Sequence, residues 1–198
     1  MVFNIFQDTF INKFIKMTKF LKIIRKKTEY QLINSFINEL KTYLAIRKKM
    51  QKRFSFVLTG GKSPIKLYKK INKSKINFKD IDFFFGDERH VSKKSKFSNL
   101  RLIKNNLFYQ NGIKDKQIFS IDTNMRITGD IAKKYENKIK KYFKNKKIGF
   151  DLILLGMGLD GHIASIFSNK KSKKLVTSVY REDFKRISMS IKLINKSK

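Results

Sequence analysis

The stretch DLILLGMGLDGHIAS (151–165) runs from an apolar segment into three glycines interleaved with an aspartate and closed by a histidine. Two chemistries fit these residue types. Gly156, Gly158 and Gly161 have the G-x-G-x-x-G spacing of a dinucleotide loop. Alternatively, the glycines shape a tight loop that presents His162, since an imidazole suits general-base work near neutral pH. The first reading also requires an acidic residue about 20 positions later, behind a crossover helix. Glu182 and Asp183 are only roughly placed for that, and IASIFS (163–168) reads as a short helix. His162 also stands where a pyrophosphate would need close backbone approach. The balance favours a histidine site over a nucleotide site, and over an ordinary surface or core histidine. His90, in a loop rich in Lys and Ser, reads as a solvated side chain.

Two further segments carry chemistry. GGKS (60–63) resembles the end of a P-loop, but that motif would need glycine at Phe56, and Pro64 follows the serine directly. An ATP site is rejected. What remains open is an anion-binding loop, with backbone N–H groups exposed between a strand and a helix, or an ordinary tight turn. GDER (86–89) places Asp87, Glu88 and Arg89 directly after FFF. It reads either as a solvated turn or as a carboxylate and a guanidinium aimed at a polar substrate, with one of the three charges forming a supporting ion pair. Of the eight arginines, Arg89, Arg101 and Arg186 each sit beside a candidate segment, where the planar fork can bind phosphate or carboxylate oxygens bidentately.

The elements that must position these residues follow from pattern. TEYQ (28–31) fits a capping box, and Ile33, Phe36, Ile37, Leu40 and Leu44 recur at helical spacing, which predicts a helix over 28–50. FSFVLT (54–59) and IDFFF (81–85) read as buried strands. Ser63 and Pro64 suit the cap and first position of a helix. Ser98 caps a helix with Leu100, Ile103 and Leu107 inward, and Asp130 opens one with Ile131, Tyr135 and Ile139 on one face. QIFSI (117–121), DLILL (151–155), KLVTSVY (174–180) and RISMS (186–190) read as further strands. Strands alternating with amphipathic helices predict an α/β fold with a mostly parallel sheet. TGGKSP, GDERH and GMGLDGH each follow an apolar strand, so all three are expected at the C-terminal sheet edge, where such folds bind ligands.

Composition narrows the classes. At 198 residues and 41% hydrophobic, the chain is expected to form one domain with a sizeable core. It has no cysteine and two histidines, which argues against disulfides, thiolate zinc and multi-histidine metal sites and suits a reducing, cytoplasmic compartment. No apolar run approaches the ~18 residues of a membrane span, and the N-terminal MVFNIFQDTFINKFIKMTKF reads as neither signal peptide nor anchor. The formal charge of +32 is spread along the chain and dominated by lysine. It predicts non-specific, salt-sensitive nucleic-acid binding and attraction of anionic small molecules rather than dedicated nucleic-acid recognition.

Taken together, TGGKSP, INFKDIDFFFGDERHV, SNLRLIKNNLF, FDLILLGMGLDGHIASIF and KRISMS resemble, in order and spacing, the 6-phosphogluconolactonase family over about residues 54–190. The resemblance implies a Rossmann-like sheet flanked by helices and hydrolysis of 6-phospho-D-glucono-1,5-lactone to 6-phosphogluconate, with no metal or cofactor. It implies that His162 activates water. Thr59, Gly60, Gly61 and Lys62 would cradle the phosphate with Arg186. Asp87, Arg89, Asn99 and Arg101 would orient the sugar hydroxyls or the reacting end. Asp160, beside Gly161 in the same substrate-binding loop, would hold the loop or the imidazole. The related glucosamine-6-phosphate isomerase/deaminase family typically carries M-D-E-Y and G-H-I-A-F-N-E, whereas this chain has GDER and GHIASIF. That isomerase is the runner-up, followed by an inactive relative that binds anions or nucleic acid by charge. Two departures stand out. Lys62 replaces a small hydroxyl residue, and no G-x-x-K lysine follows RISMS, so the chain is expected to be C-terminally incomplete. A monomer or weak homo-oligomer is expected.

Overall fold

A computed structural model describes residues 23–109, 111–144, 147–167 and 172–197. The N-terminal stretch read as neither signal nor anchor lies outside the described residues. The first helix, α1 (Glu29–Lys49), begins where Thr28 accepts a hydrogen bond from the Gln31 amide at 3.2 Å. It carries Glu29 in its first turn and three basic residues in its last, matching the helix dipole. Phe36, Ile37 and Leu40 bury its inner face. Among the described residues no helix is long and apolar enough to cross a membrane.

Four parallel strands form the central sheet: β1 (Phe54–Leu58), β2 (Ile81–Phe85), β4 (Ile118–Phe119) and β5 (Leu152–Ile153), in the order β4-β2-β1-β5. Every residue of β1 and β2 is buried, as expected of parallel strands covered on both faces. Helices α2 (Ile65–Asn72) and α4 (Thr128–Tyr142) pack on the sheet through Leu67, Tyr68 and Ile71, and through Ile131, Tyr135 and Ile139. Helix α3 (Asn99–Ile103) continues as a wider π-helical turn to Phe108.

The N-terminal strand edge is stapled by charge. Arg53 grips Asp82 with two hydrogen bonds of 2.6 Å, Tyr142 adds one of 2.9 Å, and Arg47 pairs with Asp151 at 3.0 Å. At the C-terminal edge two tyrosine hydroxyls each bond both backbone polar groups of one residue. Tyr68 donates to the Thr59 carbonyl at 2.6 Å and accepts from its N–H at 3.1 Å. Tyr135 does the same for Phe85 at 3.0 and 2.9 Å. Burial pushes both phenol pKa values well up.

Several local expectations are corrected. GDER is not a loop: Asp87–Arg89 is a strand, β3, joining β6 (Val176–Tyr180) and β7 (Lys185–Met189) in a separate antiparallel sheet of order β3-β7-β6. The switch occurs at Gly86, whose N–H donates to Leu58 of β1 while its carbonyl accepts from Met189 of β7. IASIFS is not a helix over its described part. Ile163 bridges to Met157 and Ile166, and Ala164 adopts a left-handed φ of 48°, which ends any helix. Pro64 rather than Ser63 takes the cap position of α2, and α4 starts two residues before Asp130. The last helix is the short α5 (Ile191–Ile194).

Tyr68→Phe and Tyr135→Phe should each lower unfolding free energy by about 1–3 kcal/mol, the cost of stranding buried backbone polar groups. Urea denaturation checks this, and wild-type midpoints for both variants would refute the role given to the hydroxyls.

Candidate functional site

The site is organised beneath its surface by Glu88, which is 2% exposed. Its carboxylate accepts from the Arg89 and Asn99 amides at 2.8 Å each, the Leu100 amide at 2.8 Å and the Ser98 hydroxyl at 3.1 Å. It is therefore a cap for α3 rather than a partner in an ion pair. Burial pushes its pKa up, and the backbone donors partly offset this.

The docked helix start presents Asn99 between two other predicted residues. Asn99 Nδ2 donates to the Asp87 carbonyl and to Asp87 Oδ1, both at 3.1 Å. Its Oδ1 accepts from Arg89 Nη1 at 3.3 Å, and the same nitrogen donates to the Phe97 carbonyl at 2.9 Å. Gly60 lies against this amide: a Cβ there would sit 2.0 Å from Asn99 Oδ1. The second Asp87 oxygen accepts from the Ser165 hydroxyl at 2.6 Å. Burial raises the Asp87 pKa, opposed by Ser165, Arg89, Arg186 and His162.

The loop after β5 closes on itself through Gly158 N–H to the His162 carbonyl at 2.8 Å. His162 Nδ1 meets Asp160 Oδ1 at 2.5 Å, and Nε2 has no hydrogen-bond partner among the described residues. This bond holds the Asp160 carboxyl below the usual carboxylate range, so Asp160 stays ionised and favours the tautomer with its proton on Nδ1. Gly158 is required by close approach, because a Cβ would lie 2.3 Å from the imidazole. The left-handed Ala164 then turns Ser165 inward, where its N–H donates to Ser188 Oγ at 3.1 Å.

Arg89, Asp160, His162, Phe167 and Arg186 line one cleft of about 790 Å³ together with the β6–β7 turn, Tyr180–Asp183. Thr59, Gly60, Gly61 and Lys62 are outside this lining. They approach it through the Gly60–Asn99 contact and through Thr59 Oγ1 near Gly156. Arg101 points away, with Nη1 on the Lys94 carbonyl. His90 is not solvated: its ring nitrogens meet Thr128 Oγ1 at 3.0 Å and the Met125 carbonyl at 2.8 Å, tying the end of β3 to α4. Sequence reasoning assigns nothing to Phe167, Ser165, Arg181 or the capping role of Glu88. Ser165 and Phe167 carry a signal, as members of the GHIASIF run (161–167). Among the described residues no cluster of three or more His, Cys, Asp or Glu is placed to hold a metal ion.

Residues 27–198 match the family model described as glucosamine-6-phosphate isomerases/6-phosphogluconolactonase. A 6-phosphogluconolactonase of Thermotoga maritima is 37% identical over 135 residues, covering 65% of this chain and 59% of that one. The match thus spans less than two thirds of that relative's length. One from Nostoc sp. is 30% identical over 186 residues, covering 90% and 77%. The crystal structure of the T. maritima 6-phosphogluconolactonase superposes with a TM-score of 0.74 at 29% identity, covering 83% of this chain and 76% of that one.

Glu88→Gln keeps the side-chain size but turns an NH2 group toward backbone donors. It should cost about 1–3 kcal/mol of stability and loosen 98–100 in amide hydrogen exchange. Unchanged protection there would show that the cap does not hold α3.

Proposed function

The chain belongs to the glucosamine-6-phosphate isomerase/6-phosphogluconolactonase family, and on that footing we propose that it hydrolyses 6-phospho-D-glucono-1,5-lactone to 6-phosphogluconate, as a single cytoplasmic domain. The observation that carries this reading is His162, oriented by Asp160 through Nδ1 and with Nε2 unpartnered among the described residues, in a cleft shared with Arg89 and Arg186.

Nε2 accepts a proton from water as the oxygen attacks the lactone carbonyl. The ring C–O bond then breaks, and the imidazolium returns the proton to the departing ring oxygen. Ester hydrolysis gains from a base fixed in this way, and a cationic donor such as Arg89 in the same cleft can stabilise the oxyanion. Arg186 and the Thr59–Gly60–Gly61 backbone, with Lys62 adding charge, provide for the phosphate. Asp87 is a positioning residue: one oxygen is engaged by Asn99 and the other by Ser165. That engagement counts against the isomerase reading, in which Asp87 would need a free oxygen to take a proton from carbon.

His162→Ala should lower kcat about 10²–10⁴-fold in a lactone assay corrected for spontaneous hydrolysis. His90→Ala should instead lower stability with little change in kcat. Equal activity in both variants and the wild type would remove His162 as the base. Asp160, held below the usual carboxylate range by its bond to His162, should stay ionised in a mildly acidic assay and set no limb of the corrected pH–rate profile there. Glucosamine 6-phosphate should release no ammonia, and release at a rate comparable to lactone hydrolysis would reverse the assignment in favour of the isomerase.

A further inference from the structure

The cleft wall formed by the β6–β7 turn has no role in the chemistry above, yet it is built around a single aromatic ring. The Phe167 ring lies 4.4 Å from the His162 ring, centroid to centroid. The Arg181 guanidinium stands over the same ring at 4.4 Å, and that of Arg186 at 5.4 Å. Two guanidiniums and the imidazole therefore gather round one side chain. Stacking on an aromatic face orients an arginine while leaving its N–H fork free.

The two arginines differ in how their charge is met. Arg186 is 9% exposed, its Nη2 is bonded to Asp183, and its buried Nε has no hydrogen-bond partner among the described residues. A buried donor without a partner is costly in an unliganded fold and marks a place where an acceptor belongs. Arg181 has no carboxylate partner among the described residues, and its guanidinium stacks on the Phe167 ring. The turn is braced on its other side, where Phe184 packs on Phe97 at 5.1 Å and under Arg89 at 6.0 Å. Arg181 is thus held over the cleft mouth by a stacked and braced turn, its guanidinium making no hydrogen bond among the described residues.

We propose that Arg181 is a ligand for the substrate's phosphate, stacked on Phe167 beside Arg186, and so a determinant of specificity for a phosphorylated over an unphosphorylated lactone. This deepens the proposed lactonase reading and rests on it. Phe167 is the positioning residue, coupling the anion grip to the imidazole through one ring.

The test compares wild type, Arg181→Ala, Arg181→Lys, Phe167→Leu and the distant control Lys116→Ala on two substrates, 6-phosphogluconolactone and unphosphorylated glucono-1,5-lactone. Inhibition by inorganic phosphate is measured alongside. Arg181→Ala should raise KM for the phosphorylated lactone about ten- to a hundredfold, the range for losing one charge-assisted hydrogen bond. Its kcat should stay close to wild type, its kcat/KM for the unphosphorylated lactone should be unchanged, and phosphate inhibition should weaken in parallel. Arg181→Lys should fall between, keeping the charge but not the stacked fork. Phe167→Leu should raise the same KM and also lower kcat. Lys116→Ala should change nothing, which separates a local contact from the general +32 field. An unchanged KM in Arg181→Ala, an equal loss on both substrates, or an equal effect of Lys116→Ala would overturn the proposal while leaving the lactonase reading intact. If the wild type hydrolyses neither lactone, the lactonase reading fails. Calorimetric titration with inorganic phosphate then decides Arg181 alone, with weaker binding in Arg181→Ala supporting it and equal binding refuting it.

Discussion

One buried carboxylate sets the rest of the site in place. Glu88 could not remain ionised at 2% exposure without donors, and the structure supplies four within 3.1 Å. Three come from the start of α3, so satisfying the charge fixes where that helix begins and which way Asn99 faces. Asn99 then sets Asp87 and Arg89 by hydrogen bonds, and leaves room for no side chain at position 60. Local electrostatics thereby become geometry: a charge that must be solvated recruits the segment that carries its neighbours.

The cleft is a product of the change of sheet at Gly86. The imidazole arrives on a loop from the parallel sheet, after β5. Arg89 and Arg186 face each other as register partners in the antiparallel sheet. Because the Gly86 peptide bonds to both β1 and β7, the two sheets cannot drift independently, and the gap between them is held at a fixed width. Asp87, just past the switch, is joined to the imidazole loop by Ser165.

Much of this is legible in the sequence, and what is not has physical causes. The helix after Thr28 and strands β1 and β2 are legible because periodicity and unbroken apolar runs are local signals. Strand β3 is hidden because Asp, Glu and Arg in succession resemble a solvated turn. Of their partners, the start of α3 comes 10–12 residues later, and Ser165 and Ser188 lie far along the chain. The neighbours of His90 say solvent, while its actual partners, Met125 and Thr128, are 35 and 38 residues away. IASIFS has the composition of a helix, but the pull of Asp87 and Ser188 on Ser165 overrides propensity. His162, Arg89 and Arg186 can be picked out because residue types with sharp chemistry stand beside strand ends, and Asp160 through the family resemblance. The stack of Arg181 on Phe167 cannot, since it depends on the path of a turn that sequence reads only as charged.

The separations along the chain also impose an order of assembly during synthesis. Glu88 can reach Asn99 and Leu100 as soon as 11 or 12 further residues have emerged, so the first half of the cleft can form around an early β1–α2–β2–β3–α3 unit. The Ser165 hydroxyl meets Asp87 only after 78 more residues, and β3 has no strand partner until β7 exists. Until then the growing chain carries a buried-type aspartate and an open strand edge where the cleft will form. The segment that brings the imidazole relieves the first, and β7 relieves the second.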